Sequence, residues 1–232
     1  MAEAVTAGLF LETVLITPLY LASAEGAALV RRLAAAPLEV APELLEDVTD
    51  SDSPQGILAV AHLPRPGLDA LPVDRGVPYL YLEGLQDPGN VGALARVAEA
   101  AGAAGLALSP GTAHPNHPRA LRASAGSLLR LPVAVGVAPE SLERRLASGL
   151  PPGEAPRWAA LVPRDGADLW RASLDGTLIL AVGAEGPGLS ADLTARADLR
   201  LTISMESPVE SLNATVAAAL VLFEVRRRRL VV

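Results

Sequence analysis

The stretch Leu178-Ile-Leu-Ala-Val-Gly-Ala-Glu-Gly-Pro-Gly-Leu-Ser190 decides the fold of this chain, together with the segment 201–217 that follows it. Its apolar run, 178–182, has the length and composition of a buried parallel strand. Three glycines then fall within the six residues 183–188. Because glycine has no Cβ, this loop lets a ligand approach the main chain closely.

The segment that follows this stretch repeats the order of strand, loop and helix. Residues 199–203 are predicted to form a strand, and a polar turn follows. Ser211 is predicted to cap a long helix that is rich in alanine and valine and ends in Arg226–Arg229. We therefore expect two adjacent strand ends to offer loops to one crevice. Ligands of α/β proteins settle beyond the carboxyl ends of parallel strands, so the crevice is a candidate cofactor site.

Upstream of this stretch, from Val77 onward, strand and helix signals alternate regularly. Such alternation predicts a mainly parallel sheet covered on both faces. The predicted strands are 78–82, 105–109, 133–137 and 158–162, and the predicted helices are 88–101, 119–125 and 141–147.

The N-terminal residues 1–63 predict a separate small α/β domain. Thr17-Pro18 suits the cap and first position of a helix. Residues 64–76 contain three prolines and two glycines that interrupt any periodicity, so they are interpreted as an interdomain linker. The remaining domain is 77–232. The predicted strands of the small domain are 9–16, 38–40 and 56–61, and its predicted helices are 26–36 and 42–47.

Composition narrows the possible functions. Half of the 232 residues are hydrophobic and 19% are charged, which is enough for one or two buried cores. No apolar run approaches the ~20 residues that span a bilayer, and the start lacks a basic signal region, which predicts a cytoplasmic protein without a membrane partner. The absence of cysteine excludes disulfides, thiolate catalysis and cysteine-ligated metals. His114 and His117 flank a proline and lack further ligands, so no metal site is predicted.

All 19 basic residues are arginine, which excludes a lysine Schiff base and leaves guanidinium groups to bind anions. The net charge of −7 argues against an indiscriminate nucleic-acid coat, because non-specific affinity depends on phosphate neutralisation. A local arginine cluster could still bind nucleic acid. Phosphate-loop and dinucleotide patterns are missing, which disfavours an unrelated doubly wound nucleotide-binding enzyme.

The first chemical motif is Asp87-Pro-Gly-Asn-Val-Gly-Ala-Leu-Ala-Arg96. Asp87 and Pro88 form a favourable helix start, Asn90 lies at its mouth and Arg96 two turns further on. Asn90 could serve only turn geometry, and Arg96 could be an ordinary surface arginine. The helix is otherwise small and apolar, so Arg96 could instead face an anion.

Three motifs together resemble the SpoU, or TrmH-like, ribose 2′-O-methyltransferases of the SPOUT superfamily. They are the segment 87–96, the segment Val182-Gly-Ala-Glu-Gly-Pro-Gly-Leu189 and the segment Ile203-Ser-Met-Glu-Ser-Pro-Val-Glu-Ser-Leu-Asn213. The segment 119–133 also resembles the family, and the resemblance covers residue 77 to the end. It implies a deep trefoil knot in which S-adenosylmethionine binds in a bent conformation. The implied cofactor contacts are Gly183, Gly188, Ile203, Met205 and Leu212.

The resemblance also implies a catalytic set of Arg96, Asn90, Glu185, Ser211 and Asn213. Arg96 would act on the ribose hydroxyl. Since the pKa of a free guanidinium lies above ~12, we prefer an arginine that is bound to a substrate phosphate and orients the hydroxyl. Asn90 and Asn213 would hold the loop geometry and the hydroxyl, Glu185 would position neighbouring groups, and Ser211 would either cap the helix alone or also touch the site.

The resemblance further implies RNA contacts at Arg122 and Ser124 in addition to Arg96. It also implies a homodimer formed through the knotted domain. The upstream domain resembles a ribosomal-protein-like RNA-binding module. This chain starts near the equivalent of that module's second helix, so we expect either that the module is truncated or that the start is misassigned. Ribosomal RNA is the expected substrate and transfer RNA the alternative; DNA is not expected. A non-catalytic RNA-binding assembly factor on the same fold is the other alternative, suggested by the acidic charge.

Overall fold

The computed structural model of the chain describes residues 1–49 and 54–231. They form two compact units, Met1–Pro64 and Arg65–Val232. None of the helices in these ranges is both long and apolar enough to cross a membrane.

The first unit contains a three-stranded sheet with the order β2-β1-β3. Strand β1 (Leu11–Ile16) is parallel to β2 (Leu38–Glu39) and antiparallel to β3 (Ile57–Ala61). Thr17 caps the second helix, as predicted, by accepting a hydrogen bond from the amide of Tyr20 at 3.4 Å. The helices are α1 (Ala2–Thr6), α2 (Pro18–Leu21), α3 (Ala24–Val30) and α4 (Pro42–Asp47). The helix expected at 26–36 begins earlier, at Ala24, because Ser23 caps it by accepting from the amide of Gly26 at 2.9 Å, and it ends at Val30.

The second unit is built on a seven-stranded sheet with the order β6-β5-β4-β9-β7-β10-β8. Every paired strand in it is parallel, which confirms the predicted parallel α/β architecture. The two-residue strand β8 was not predicted, since it is too short to show a period. The strands are β4 (Tyr79–Glu83), β5 (Gly105–Leu108), β6 (Val133–Val135), β7 (Arg157–Leu161), β8 (Ala167–Asp168), β9 (Leu178–Gly183) and β10 (Leu199–Thr202); the helices are α5 (Pro88–Ala101), α6 (Pro118–Ala123), α7 (Pro139–Ala147), α8 (Ala191–Arg196) and α9 (Ala214–Val231).

Both faces of the large sheet are buried, as strand β4 illustrates. Leu80 and Leu82 belong to the core that includes residues of α5, α6 and α9. Tyr79 and Tyr81 point to the opposite core, with residues of α7 and α8. The Tyr81 hydroxyl donates a hydrogen bond to the carbonyl of Val137 at 2.9 Å, and burial raises the pKa of Tyr81 to about 12. A strand that is covered on both sides therefore reads as an uninterrupted apolar run.

The segment 64–76, interpreted as a linker, is largely part of the second unit. The amide of Gly67 donates to the carbonyl of Val133 at 2.9 Å. Leu71 is fully buried in the second unit's core, and Arg145 donates to the carbonyl of Leu71 at 2.7 Å. Between Pro66 and Pro72 the segment forms one short 3-10 helix, Leu68–Ala70. The side chain and the carbonyl of Leu71 both find partners in the second unit.

Candidate active site

A cavity of about 510 Å³ lies at the carboxyl ends of β7, β9 and β10. Its volume is in the range of sites that bind small molecules and cofactors. The walls are mostly apolar, with polar side chains concentrated on the loops after β9 and β10. The lining residues are Leu161, Val162, Pro163, Val182, Gly183, Ala184, Glu185, Gly186, Gly188, Ile203, Met205, Ser211, Leu212, Asn213, Ala214 and Ala217.

The order of the strands corrects one expectation. Strands β9 and β10 are not adjacent, because β7 pairs with both and lies between them. The end of β7 therefore adds Leu161, Val162 and Pro163 to the cavity wall. The sequence predicted this strand but not that its end forms part of the cavity wall, because local periodicity does not encode the order of strands in a sheet.

The loop after β9 folds back onto the strand end. The amide of Gly188 donates to the carbonyl of Ala184 at 2.9 Å. A Cβ at Gly183 would lie only 2.1 Å from the carbonyl carbon of Gly188, so only glycine fits there. The five residues predicted to contact the cofactor, Gly183, Gly188, Ile203, Met205 and Leu212, all line the cavity.

Glu185 joins side chains from all three motifs beside the cavity. Its Oε1 accepts a hydrogen bond from Nδ2 of Asn90 at 2.8 Å and another from Nδ2 of Asn213 at 3.3 Å. Asn90 belongs to α5, while Asn213 immediately precedes α9. Residues that are 95 and 28 positions away from Glu185 thus meet on one carboxylate oxygen.

The prediction that Ser211 caps the last helix is wrong. Helix α9 begins at Ala214, and Oδ1 of Asn213 accepts from the amides of Thr215 at 2.9 Å and Val216 at 3.4 Å. Asparagine caps helices as well as serine does, and here it is the residue directly before the first turn. Ser211 is instead an exposed residue on the cavity wall.

Arg96 lies on α5 and is exposed, and it is not among the residues that line the cavity. Within residues 1–49 and 54–231 its side chain has no hydrogen bond or ion pair. On the neighbouring helix α6, Arg119 is paired with Asp87 at 3.4 Å. The guanidinium of Arg96 is therefore available to an anion from outside the chain.

The two remaining predicted RNA contacts have different environments. Arg122 is exposed on α6, where its guanidinium can reach a partner. Ser124 is fully buried, and its hydroxyl donates to the carbonyl of Leu121 at 2.8 Å. A buried hydroxyl that is already hydrogen-bonded offers nothing to RNA, so the structure corrects the assignment of Ser124.

His114, His117 and Trp158 make contacts within the fold. Nδ1 of His114 and Nδ1 of His117 accept backbone amides at 3.1 Å, and His117 caps α6. Trp158 is buried edge-to-face against Tyr81, with ring centroids 5.3 Å apart. Among the residues that the structure describes, no group of three His, Cys, Asp or Glu side chains could hold a metal ion.

Comparisons with known proteins agree with this architecture. The family model described as SpoU rRNA Methylase family matches residues 78–223. The 23S rRNA (guanosine(2553)-2′-O)-methyltransferase RlmP of Bacillus subtilis is 33% identical over 77% of this chain and 68% of its own length. The 23S rRNA (uridine(2479)-2′-O)-methyltransferase of Streptomyces viridochromogenes is 30% identical over 87% of this chain and 71% of its own length.

Among solved structures, the SpoU methyltransferase AviRb from Streptomyces viridochromogenes, in complex with the cofactor AdoMet, superimposes with a TM-score of 0.86 at 28% identity. The match covers 99% of this chain and 87% of AviRb. The family model, these relatives and the motif residues around one cavity lead to a single conclusion: the chain belongs to the SpoU rRNA methylase family.

Proposed function

We propose that this protein transfers a methyl group from S-adenosylmethionine to a ribose 2′-hydroxyl of structured RNA in the cytoplasm. The observation that carries the proposal is the junction of Asn90, Glu185 and Asn213 at the edge of the cavity. Ribosomal RNA is the preferred substrate, because the two relatives described above are named as 23S rRNA 2′-O-methyltransferases. Transfer RNA is the alternative.

The cavity suits S-adenosylmethionine in size and in wall chemistry. Apolar walls accommodate the flat adenine, and the glycine loop 183–188 exposes main-chain groups that can bind its polar edge. We assign this binding to Gly183, Gly188, Ile203, Met205 and Leu212. The cofactor supplies an electrophilic methyl group on a sulfonium, so no metal is required.

The remaining polar residues are assigned to the RNA substrate. Arg96 binds a phosphate next to the target ribose and orients the 2′-hydroxyl, because its exposed guanidinium is unpaired within the described residues. Glu185 fixes the amides of Asn90 and Asn213, which leaves those side chains in defined positions for the ribose. Ser211 offers its hydroxyl from the cavity wall.

We propose that RNA phosphates are bound mainly by the second unit. Residues 1–64 contain two arginines and nine acidic residues, whereas residues 65–232 contain seventeen of each. The whole net charge of −7 thus belongs to the first unit, which must rely on contacts other than phosphate neutralisation. Phe10 is 67% exposed and packs edge-on against His62, and such an aromatic side chain can stack on an unpaired base. As the family resemblance implies, the first unit is a small RNA-binding domain.

A homodimer and a trefoil knot complete the proposal. An apolar groove of about 560 Å³ runs along α9, and Trp170, Val216 and Phe223 in it are 52%, 49% and 46% exposed. A second copy of the chain would cover such a patch.

The proposed knot would thread the chain around residues 183–189 and 203–212. The tight return of the loop onto Gly183 supports this proposal.

The direct test is methyl transfer from labelled S-adenosylmethionine to unmodified ribosomal RNA and to unmodified transfer RNA, followed by mapping of ribose methylation. Label in ribosomal RNA is expected. Label in transfer RNA alone would show that transfer RNA, and not ribosomal RNA, is the substrate. If the protein binds S-adenosylmethionine but labels neither pool, the non-catalytic assembly factor is favoured. Failure to bind S-adenosylmethionine in calorimetry would contradict the whole proposal.

A further inference from the structure

Glu83 is a half-buried carboxylate that lies outside the cavity and outside the three motifs. It is the last residue of β4 and is paired in register with Gly183, the last residue of β9. The loop that leaves Gly183 forms one wall of the cavity. Glu83 is therefore paired with the residue at which this loop begins.

The side chain of Glu83 also holds the other end of the same loop. Its Oε2 accepts the backbone amide of Ser190 at 2.7 Å, and its Oε1 accepts the hydroxyl of Ser190 at 2.8 Å. The Ser190 hydroxyl in turn accepts the amide of Leu193 at 3.2 Å and so caps α8. Among the ion pairs found in the described residues, none involves Glu83, so both carboxylate oxygens serve Ser190.

One residue thus fixes both ends of the segment 184–189. The backbone of Glu83 pairs with Gly183 at the beginning of the loop, and the carboxylate of Glu83 binds Ser190 at its end. Between these points the loop is held by one bridge between Ala184 and Gly188 and by the hydrogen bonds of Glu185 to Asn90 and Asn213. Gly186 and Gly188 adopt positive φ values of 90° and 73°. A glycine-rich loop has a large conformational entropy to lose, so anchoring its ends preorganises it for a ligand.

We infer that Glu83 is a positioning residue for the cofactor: it clamps the loop 183–190 in the conformation that binds S-adenosylmethionine. The inference rests on the proposed function. A carboxylate suits the task because Ser190 presents two donors and a carboxylate has only acceptors. Glutamine would turn an NH₂ group toward one of these donors, although its shape is almost the same.

The test compares wild type with Glu83→Gln by calorimetric titration with S-adenosylmethionine and by methylation kinetics. For Glu83→Gln we expect the Kd and KM for the cofactor to rise by about tenfold, since charge-assisted hydrogen bonds are lost. The kcat at saturating cofactor and the affinity for RNA should stay within about twofold of wild type. A purely structural role would lower the melting temperature without this division between KM and kcat.

Two further variants make the test specific. Glu99, also half-buried, is bonded in a bidentate manner to Arg130 away from the cavity, so Glu99→Gln should leave cofactor affinity unchanged. Ser190→Ala should weaken cofactor binding. The effects of Ser190→Ala and Glu83→Gln should be less than additive, because both substitutions disturb the hydrogen bond between the Ser190 hydroxyl and Glu83. If Glu83→Gln bound S-adenosylmethionine with the affinity of wild type, or if the effects in the double variant were additive, the inference would be overturned but the proposed function would stand. Absence of binding in wild type would overturn the proposed function.

Discussion

At the scale of single residues, the environment of Arg96 differs from that of the arginines that hold parts of the fold together. Arg130 is bonded to Glu99, and Arg228 is bonded to Glu224 and to three backbone carbonyls. Arg96 is exposed and has no such partner among the described residues. Since a guanidinium is always charged, an unpaired one on the helix that also carries Asn90 is suited to the substrate phosphate of the proposed function.

Replacement of Arg96 tests this assignment. We expect Arg96→Ala to reduce single-turnover methylation by about 100-fold or more, in line with the loss of a positioned group that acts on a reacting hydroxyl. Arg96→Lys should lie in between, because lysine keeps the charge but not the bidentate geometry. Binding of S-adenosylmethionine, measured by calorimetry, should not change. Wild-type methylation by Arg96→Ala would remove the assigned role.

Glu224 gives a prediction about pH. This carboxylate is buried, and its hydrogen bonds to Arg227 and Arg228 lower its pKa to about 2. A lowered pKa in the folded state stabilises the protein at pH values above the unfolded pKa of about 4.3, and this stabilisation is lost as the pH falls toward about 2.

The measurement is urea unfolding of wild type and Glu224→Gln between pH 7 and pH 3. The difference in the free energy of unfolding should be constant above about pH 5 and should shrink as the pH is lowered. Glu154, an exposed partner of Arg75, provides the control, since Glu154→Gln should change stability little at any of these pH values. A difference that grows toward acid would contradict the assigned cause.

At the scale of elements, the start of α9 connects helix stability to the candidate site. Asn213 uses Oδ1 to cap the helix and Nδ2 to bind Glu185. One amide thus fixes where the helix begins and where the loop 203–213 meets the loop after β9. The two functions use different atoms, so they can be separated by substitution.

We predict that Asn213→Asp keeps the cap and loses the contact with Glu185, because a carboxylate accepts the amides of the first turn but cannot donate. Its free energy of unfolding should stay near that of wild type while methylation falls at least tenfold. Asn213→Ala should lose both, with a stability loss of about 1 kcal/mol. Urea unfolding and methylation assays report the two quantities, and full activity of Asn213→Asp would show that the contact with Glu185 is dispensable.

At the scale of the whole molecule, the proposed homodimer explains an exposed apolar face. Trp170, Val216 and Phe223 leave large apolar side chains in solvent on a groove that also contains Val97 and Leu220. Large contiguous apolar patches on a folded protein mark sites of association. In the proposed two-fold dimer, this face would pack against the same face of a second copy.

A charge within this groove should break the dimer. Sedimentation equilibrium should show a dimer for wild type and a monomer for Phe223→Glu, because burial of a carboxylate in an apolar interface is unfavourable. Leu19→Glu is the matched control, since Leu19 is 84% exposed in the first unit and outside the groove. A monomeric wild type, or a dimeric Phe223→Glu with wild-type affinity, would refute this interface.

The sequence by itself determined six of the seven strands of the large sheet and the location of the three motifs along the chain. Apolar runs of strand length predict β4 and β9 because both faces of the sheet are covered, and Asp87-Pro88 predicts the start of α5 because capping is local. Each motif is continuous in the chain, so its residues could be identified without coordinates. The resemblance then related Asn90, Glu185 and Asn213, which are distant in sequence.

Only the tertiary structure decided which parts of the chain meet. It placed β7 between β9 and β10, buried Ser124, gave the helix cap to Asn213 instead of Ser211 and joined Glu83 to Ser190 across 107 residues. Periodicity and capping signals report interactions over a few residues of chain. Strand order and contacts between loops depend on the packing of the whole sheet, for which the local pattern carries no signal.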